Sequence, residues 1–407
     1  MGFNISLSGI NAANADLNVT ANNIANVNTT GFKESRSEFA DLFSATSYGL
    51  SKNAVGSGVR LSNVAQQFSQ GNNEQTGRSL DMAISGEGFF TMSMNGARVY
   101  SRAGNFQTDQ AGYVINPQGA RLQVFAPNAD GTSFDAGRLT DLQLLTTDSP
   151  PKQTALVNTA FTLPANASQP TIAAFDPTNS NSYNHSTGGI TVYDSLGVSH
   201  TQTSYFVKTA NSNEWQVYNY VDGQAAGAPT TLAFNNAGAL TQPANGQIVM
   251  DPFTPTTGAG TLAMTLDVSG STQYGEKFAL RNTQQDGYAA GKLNEITVSE
   301  EGIVFARYSN GDDKPLGQVA LTTFNNNQGL ESKGNNLWVE TFSSGTPRTG
   351  APDSSNLGQI QAGSLEASTV DLTEQLVNMI TAQRNFQANS QMVSTMDQIT
   401  QTIINIR

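Results

Sequence analysis

The chain has 407 residues, with 20 Lys and Arg against 32 Asp and Glu, a formal charge of −12 and no cysteine. Its length suits two or three domains, and its acidic balance, with no Lys/Arg-rich block, argues against nucleic acid and anionic membrane surfaces as partners. The missing thiols exclude disulfides, thiolate nucleophiles and sulfur-held zinc.

Only 13% of residues are charged, against about 25% in ordinary soluble domains, so Asn, Gln, Ser, Thr and Gly must carry the surface. The start MGFNISLSGI lacks the basic region and long apolar run of a secretory signal. No apolar run approaches the roughly 18–20 residues that span a bilayer. By these rules alone the chain is expected to stay in the cytoplasm.

Residues 1–27 predict a helix. Phe3, Ile10, Leu17 and Ile24 fall seven apart, with Leu7 and several alanines widening the stripe. Asn4, Asn11 and Asn18 are also seven apart and line a face beside it. Residues 1–32 hold eight Asn and one charged side chain, Asp16. Asn weakens helices, and a solvated face would normally carry Lys and Glu. An apolar stripe flanked by amides suits packing by other copies, because amides bond to neighbours without the desolvation cost of charge. The run TANNIANVNTTGFK is expected to hold the helix end and the following connector against adjacent copies.

That connector, 28–71, is rich in Ser, Gly and Asn and shows no clear periodicity, so it must lean on something. From 72 to 147 the pattern turns to β. In GEGFFTMSMNGARVYSR, Asn95-Gly96 between two strand-like runs is a strong hairpin signal. A break at TTDSPPKQT opens an inserted β region, 148–285, where DSLG and TANSN separate three strands between Gly188 and Gly223. Residues 286–365 resume the first β style. The C-terminal stretch, 366–407, again predicts a helix, with Leu365, Leu372, Met379, Phe386 and Val393 seven apart. Leu376, Ile380, Met396, Ile399 and Ile403 broaden that face, and Asn378, Gln383, Asn385, Gln387, Asn389, Gln391, Gln398 and Gln401 flank it.

The fold expected is therefore multidomain and mainly β with terminal α-helices. The segments 1–27 and 366–407 are coiled-coil-like helices. An extended connector covers 28–71. One β domain is built from 72–147 and 286–365, with the second, 148–285, nested in it.

No catalytic, cofactor-binding or metal-ligating residues are assigned. His185 and His200 are isolated in sequence, and two histidines without cysteine make a poor metal site. Glu300-Glu301 and Asp312-Asp313 are adjacent pairs in turns, and neighbours on a strand point to opposite faces. SGEGFF has no helix after it to complete a phosphate cradle.

Four ordered stretches carry a resemblance. ANNIANVNTTGFK resembles the N-terminal signature of the bacterial flagellar rod–hook axial protein family. SLDMAISGEGFFTM followed by YSRAGNFQTDQAGYVINPQGARLQVF is similar to its β motif. QDGYAAGKL and AQRNFQANSQMVSTMDQITQTIINIR resemble its re-entry and its C-terminal helix. The length and the insert set the chain with the hook-type members and apart from the shorter rod members. The resemblance implies a structural subunit of the flagellar hook, outside the cell. It would leave unfolded through the flagellar export apparatus without a cleaved signal, which overrides the cytoplasmic expectation. Such subunits polymerise into a curved tube that joins rod to filament as a universal joint. The resemblance also implies that the helices of 1–27 and 366–407 pair as a coiled coil and line a central channel, and that the connector, 28–71, packs on neighbouring subunits.

The implied partners are other copies, rod and hook–filament junction proteins, the hook cap and the export apparatus, with no nucleic acid, membrane or cofactor. The expected assembly residues are Phe3, Ile10, Leu17, Asn22, Asn23, Ile24, Asn26, Thr30, Gly31, Phe32 and Lys33 at the N-terminal end. At the C-terminal end they are Leu372, Met379, Arg384, Phe386, Gln387, Asn389, Val393 and Ile403. A distal-rod-like subunit forming a straight tube is the alternative within the family. A secreted β-rich binding protein or hydrolase is the alternative outside it, and it leaves the terminal heptads unexplained.

Overall fold

Both heptad-patterned ends fold as helices: α1 spans Gly2–Ala25 and α2 spans Leu372–Asn405. The computed structural model describes residues 2–42, 56–128, 131, 133–144, 147–354 and 356–405. Helix α2 starts at Leu372 and not at 366. Asp371 caps it, its Oδ1 accepting from the backbone N–H of Thr373 at 2.7 Å and of Glu374 at 3.1 Å. The residues before the cap are held in a strand, Ser364–Glu366, paired antiparallel with Asn73–Gln75. Leu365 thus belongs to a sheet edge despite its heptad spacing.

The connector is less irregular than its composition suggests. Strand β1 (Ser35–Asp41) and strand β2 (Val59–Gln66) form an antiparallel hairpin. It leans on α1 of the same chain, where the Ser8 hydroxyl accepts from the backbone N–H of Val59 at 3.2 Å. Residues 43–55, the rest of the stretch expected to pack on neighbours, lie outside the described residues.

Two compact units divide the chain. The first comprises Met1–Thr146, Glu295–Ala306 and Lys314–Arg407; the second comprises Thr147–Asn294 and Arg307–Asp313. In the first, a central antiparallel sheet runs Arg121–Pro127, Phe89–Met94, Ala97–Ser101, Leu337–Val339, Glu331–Gly334. The Asn95-Gly96 hairpin forms as the sequence predicts. Both residues take positive φ, 53° and 82°, which matches the twist of the strands they join. Alternate strand residues, among them Phe90, Met92, Val99, Leu122 and Val124, meet in one core with Phe106.

The second unit is a two-sheet sandwich. One sheet orders Gln247–Val249, Thr265–Asp267, Leu156–Pro164, Thr272–Tyr274, with Ala279–Gln285 also paired to Leu156–Pro164. The other centres on Ser199–Lys208, Glu214–Val221 and Thr230–Phe234. Phe161 of the first sheet and Phe206 of the second meet at 4.5 Å between ring centroids, in a core shared with Trp215 and Val217. The three strands predicted between Gly188 and Gly223 are Ile190–Tyr193, Ser199–Lys208 and Glu214–Val221.

Candidate assembly site

Why so many asparagines end α1 becomes clear at the junction of helix, hairpin and sheet. Asn26 donates its side-chain amide to Asn22 O at 3.0 Å and to Asn22 Oδ1 at 2.7 Å, and its own Oδ1 accepts from Thr29 Oγ1 at 3.1 Å. At this helix end the Asn22 carbonyl thus takes a side-chain donor as well as the Asn26 N–H. Asn23 is 1% exposed. Its Nδ2 donates to Ser35 O at 2.8 Å and to Gln375 Oε1 at 3.1 Å, and its Oδ1 accepts from Ser35 N–H at 2.9 Å. One side chain therefore ties α1 to β1 and to α2. Gln375 also donates to Glu34 Oε1 at 2.8 Å. Burial raises the Glu34 carboxyl above its usual range, and that hydrogen bond offsets part of the rise.

Behind this lies a buried charge cluster. Glu366 Oε1 accepts from Lys33 Nζ at 2.7 Å and from Gly71 N–H at 2.8 Å, while its Oε2 faces Arg102 Nη1 at 3.5 Å without a hydrogen bond. Lys33 also donates to Ser69 O at 2.6 Å, and Arg102 to Gly86 O at 2.7 Å. Burial pushes the Lys33 ammonium and the Arg102 guanidinium below their usual pKa, against the pull of Glu366. Gly31 enters this cluster at φ 66°, and a Cβ there would stand 2.6 Å from Ala103 N. Only glycine fits both the backbone angle and the space.

Asn23, Gly31 and Lys33 were expected on a surface between copies, and the structure instead buries them inside the subunit. Lys33 is drawn in by Glu366, a charge that must be compensated once it is withdrawn from water, and Gly31 N–H donates to Glu366 O, whereas Asn23 is held by Ser35 and Gln375. The Asn run likewise holds the helix end against its own chain: Thr30 O accepts from Asn336 Nδ2 at 2.8 Å, and Phe32 O from Thr369 N–H at 3.2 Å.

The helices themselves pair through small and polar side chains. Ser6, Ala13 and Thr20 of α1, seven apart, are buried, as are Gln375 and Ala382 of α2. Gly9 sits against Asn389, where a Cβ would come within 2.5 Å of the amide oxygen. Asn23 meets Gln375, and fourteen residues back along α1 and fourteen on along α2 Gly9 meets Asn389, so the two run antiparallel. This register leaves Asp397–Asn405, about 13 Å of helix, running past the start of α1.

The large apolar residues flank this seam without filling it. Phe3 is 47% exposed, Leu372 45%, Ile399 48% and Ile403 64%, and Phe386 is also exposed. Ile10, Leu17, Ile24, Met379 and Val393 are half-buried, while Arg384 and Gln387 point to solvent. Sequence reasoning missed the seam because it tracked large residues, yet the seven-residue spacing of Ser6, Ala13 and Thr20 was there to read. It also missed Glu366 and the contacts it makes with Lys33 and Arg102, which lie far from it in sequence.

Among the described residues no group of three or more His, Asp or Glu could hold a metal ion, and no helix is long and apolar enough to cross a membrane.

Comparison with known proteins covers the chain from end to end. Residues 3–33 match the flagellar basal body rod protein family, and residues 83–174 the flagellar hook protein FlgE/F/G D1 domain. Residues 162–288 match the flagellar basal body protein FlaE D2 domain, and residues 361–406 the flagellar basal body rod FlgEFG protein C-terminal family. Flagellar hook protein FlgE of Escherichia coli (strain K12) is 37% identical over 417 residues, and that of Salmonella typhimurium (strain LT2) 38% over 419, each alignment covering all of both chains. FlgE of Borreliella burgdorferi is 31% identical over 98% of each chain. A crystal structure of Helicobacter pylori flagellar hook protein FlgE2 aligns with a TM-score of 0.53 at 17% identity, covering 72% of this chain and all of that one. That likeness concerns the fold.

Proposed function

The chain belongs to the flagellar hook protein FlgE family and is a structural subunit of the bacterial flagellar hook that polymerises with itself; from this premise we propose how its ends assemble and what its inserted unit does. The observation that carries the reading is the mismatch between seam and stripe. The helices meet through Ser6, Gly9, Ala13, Gln375, Ala382 and Asn389, and leave Phe3, Leu372, Phe386 and Ile403 for other copies. Fully burying one such side chain is worth about 1.5–3 kcal/mol, so a few per subunit suffice to hold a polymer. Ile10, Leu17, Ile24, Met379 and Val393 extend the same faces together with Phe32, and Asn22, Asn26, Thr30, Arg384 and Gln387 supply polar contacts around them.

The polymer is a curved tube that passes torque from rod to filament. As a bent tube turns, each row of subunits must lengthen and shorten, so its contacts must exchange. A surface with few charges suits this, because specific ion pairs would pin one register. The second unit, inserted between the halves of the first, sets the curvature. At its two ends the tube meets rod and hook–filament junction proteins, with a cap during growth, and its subunits arrive through the flagellar export apparatus. Electron microscopy of the purified chain at high concentration tests this. Curved tubes are expected; straight tubes would point to a distal-rod-like role, and an absence of tubes would overturn the reading.

A further inference from the structure

The second unit buries a histidine between two carboxylates, and the assembly just described makes no use of it. His200, on the strand Ser199–Lys208, is 7% exposed. Its Nδ1 lies 2.6 Å from Asp222 Oδ2 and its Nε2 lies 3.2 Å from Asp194 Oδ2. A neutral imidazole owns one N–H and would turn a lone pair on one of the two carboxylates. Only the imidazolium donates to both.

Each carboxylate also holds a loop. Asp194 Oδ1 accepts from the backbone N–H of Leu196 and of Val198, both at 2.9 Å, and its Oδ2 accepts from the Thr257 hydroxyl at 2.9 Å. Asp222, at φ 49° in the turn after Glu214–Val221, accepts at Oδ1 from Thr201 N–H at 2.8 Å. Phe253 closes a further side of the ring edge-on, with centroids 5.6 Å apart. The charged groups facing the imidazole are thus Asp194 from one turn and Asp222 from another, while the 253–257 loop contributes uncharged Phe253 and Thr257.

We propose that protonated His200 is an ionic clasp joining the 194–198 turn, the 222–223 turn and the 253–257 loop, and that loss of its proton as pH rises releases them. A hydrolytic reading fails on geometry, since both ring nitrogens are engaged and the Thr257 hydroxyl donates to Asp194, not to the ring.

Burial alone would lower the His200 pKa, but the hydrogen bonds to Asp222 and Asp194 and their charges outweigh it, and the net shift is upward from 6.5. Hydrogen bonding likewise holds Asp194 and Asp222 below the usual carboxylate range in spite of burial. A base whose folded pKa is raised contributes fully below its unfolded value and loses that contribution as pH rises through the folded value. The carboxylates contribute above their unfolded values and lose their share as pH falls through the depressed ones. The clasp is therefore closed between a lower limit set by the two carboxylates and an upper limit set by His200.

The test uses the full chain as monomer. Nitrogen NMR of the two histidines, assigned with His200→Gln, should show His200 titrating above 6.5 and His185, which burial lowers, below it. Amide exchange at Leu196, Val198 and Thr201, corrected for base catalysis, should accelerate over the same pH span in the wild type and not in His200→Gln. Removing one facing charge with Asp222→Asn should lower the His200 midpoint by about 1–3 units, or tenfold to a thousandfold in proton affinity. A His200 midpoint at or below 6.5, exchange with the same pH dependence in wild type and His200→Gln, or an unmoved midpoint in Asp222→Asn would each overturn the clasp. If His200→Gln does not fold, the wild-type titration and Asp222→Asn decide alone.

Discussion

Gly9 and Asn389 meet across the terminal helices at a distance that leaves no room for a side chain on α1: a Cβ on Gly9 would lie 2.5 Å from the Asn389 amide oxygen and 2.7 Å from its Cγ. The Asn389 amide is itself engaged, donating to Asn385 O at 2.8 Å. Helix separation is therefore set here by a glycine facing a fixed amide.

Gly9→Val should force the helices apart at a cost of about 1–3 kcal/mol, the usual penalty of overpacking. Circular dichroism should record lost helix while the β units melt as before, and tube formation should fail. Combining Gly9→Ala with Asn389→Ala should be less damaging than the sum of the two single changes, since the pair is in contact.

Glu366→Gln should destabilise the first unit by about 3–5 kcal/mol, because it leaves the buried Lys33 and Arg102 cations without their carboxylate. Denaturant titration followed at Trp338 would show the shift. Adding Lys33→Met should recover part of the loss by removing one orphaned charge. No recovery would mean that the carboxylate matters chiefly through its bond to Gly71 N–H.

Ile403→Asp changes an exposed position that no part of α1 covers in this register. Monomer stability should stay within about 0.5 kcal/mol. Sedimentation and electron microscopy should nevertheless show assembly lost. Normal tubes from this variant would remove the α2 overhang from the assembly surface.

Excising the second unit is feasible because its ends are paired. Ser149 N–H donates to Gly291 O at 2.7 Å, and Lys152 and Tyr288 form a second bridge. Replacing 152–288 by a tight turn should leave a chain that still polymerises, into straight or abnormally curved tubes. Wild-type curvature in that polymer would refute a role for the insert in setting it.

Local signals in the sequence translated well. Asn95-Gly96 formed its hairpin, and the DSLG and TANSN turns bounded the strands they promised, because turn chemistry acts over a few residues. Heptads likewise marked both helices. What stayed hidden depends on long-range partners. Residues 366–371 fit the C-terminal helical pattern, but Glu366 is drawn into a cluster whose other members are Lys33, Gly71 and Arg102. Asn23 and Lys33 carry a family signature, yet nothing local says that they point inward. The helix seam was concealed differently: small residues give a weak periodic signal beside large ones, though they determine how closely two backbones approach.

The Glu366 cluster also orders events in time. Lys33 precedes its counterion by 333 positions in the chain. Until Glu366 has emerged, Lys33 has no place to settle, and loop closure over such a span is slow relative to local strand pairing. A chain delivered N-terminal end first therefore keeps that end unlatched until Glu366 arrives.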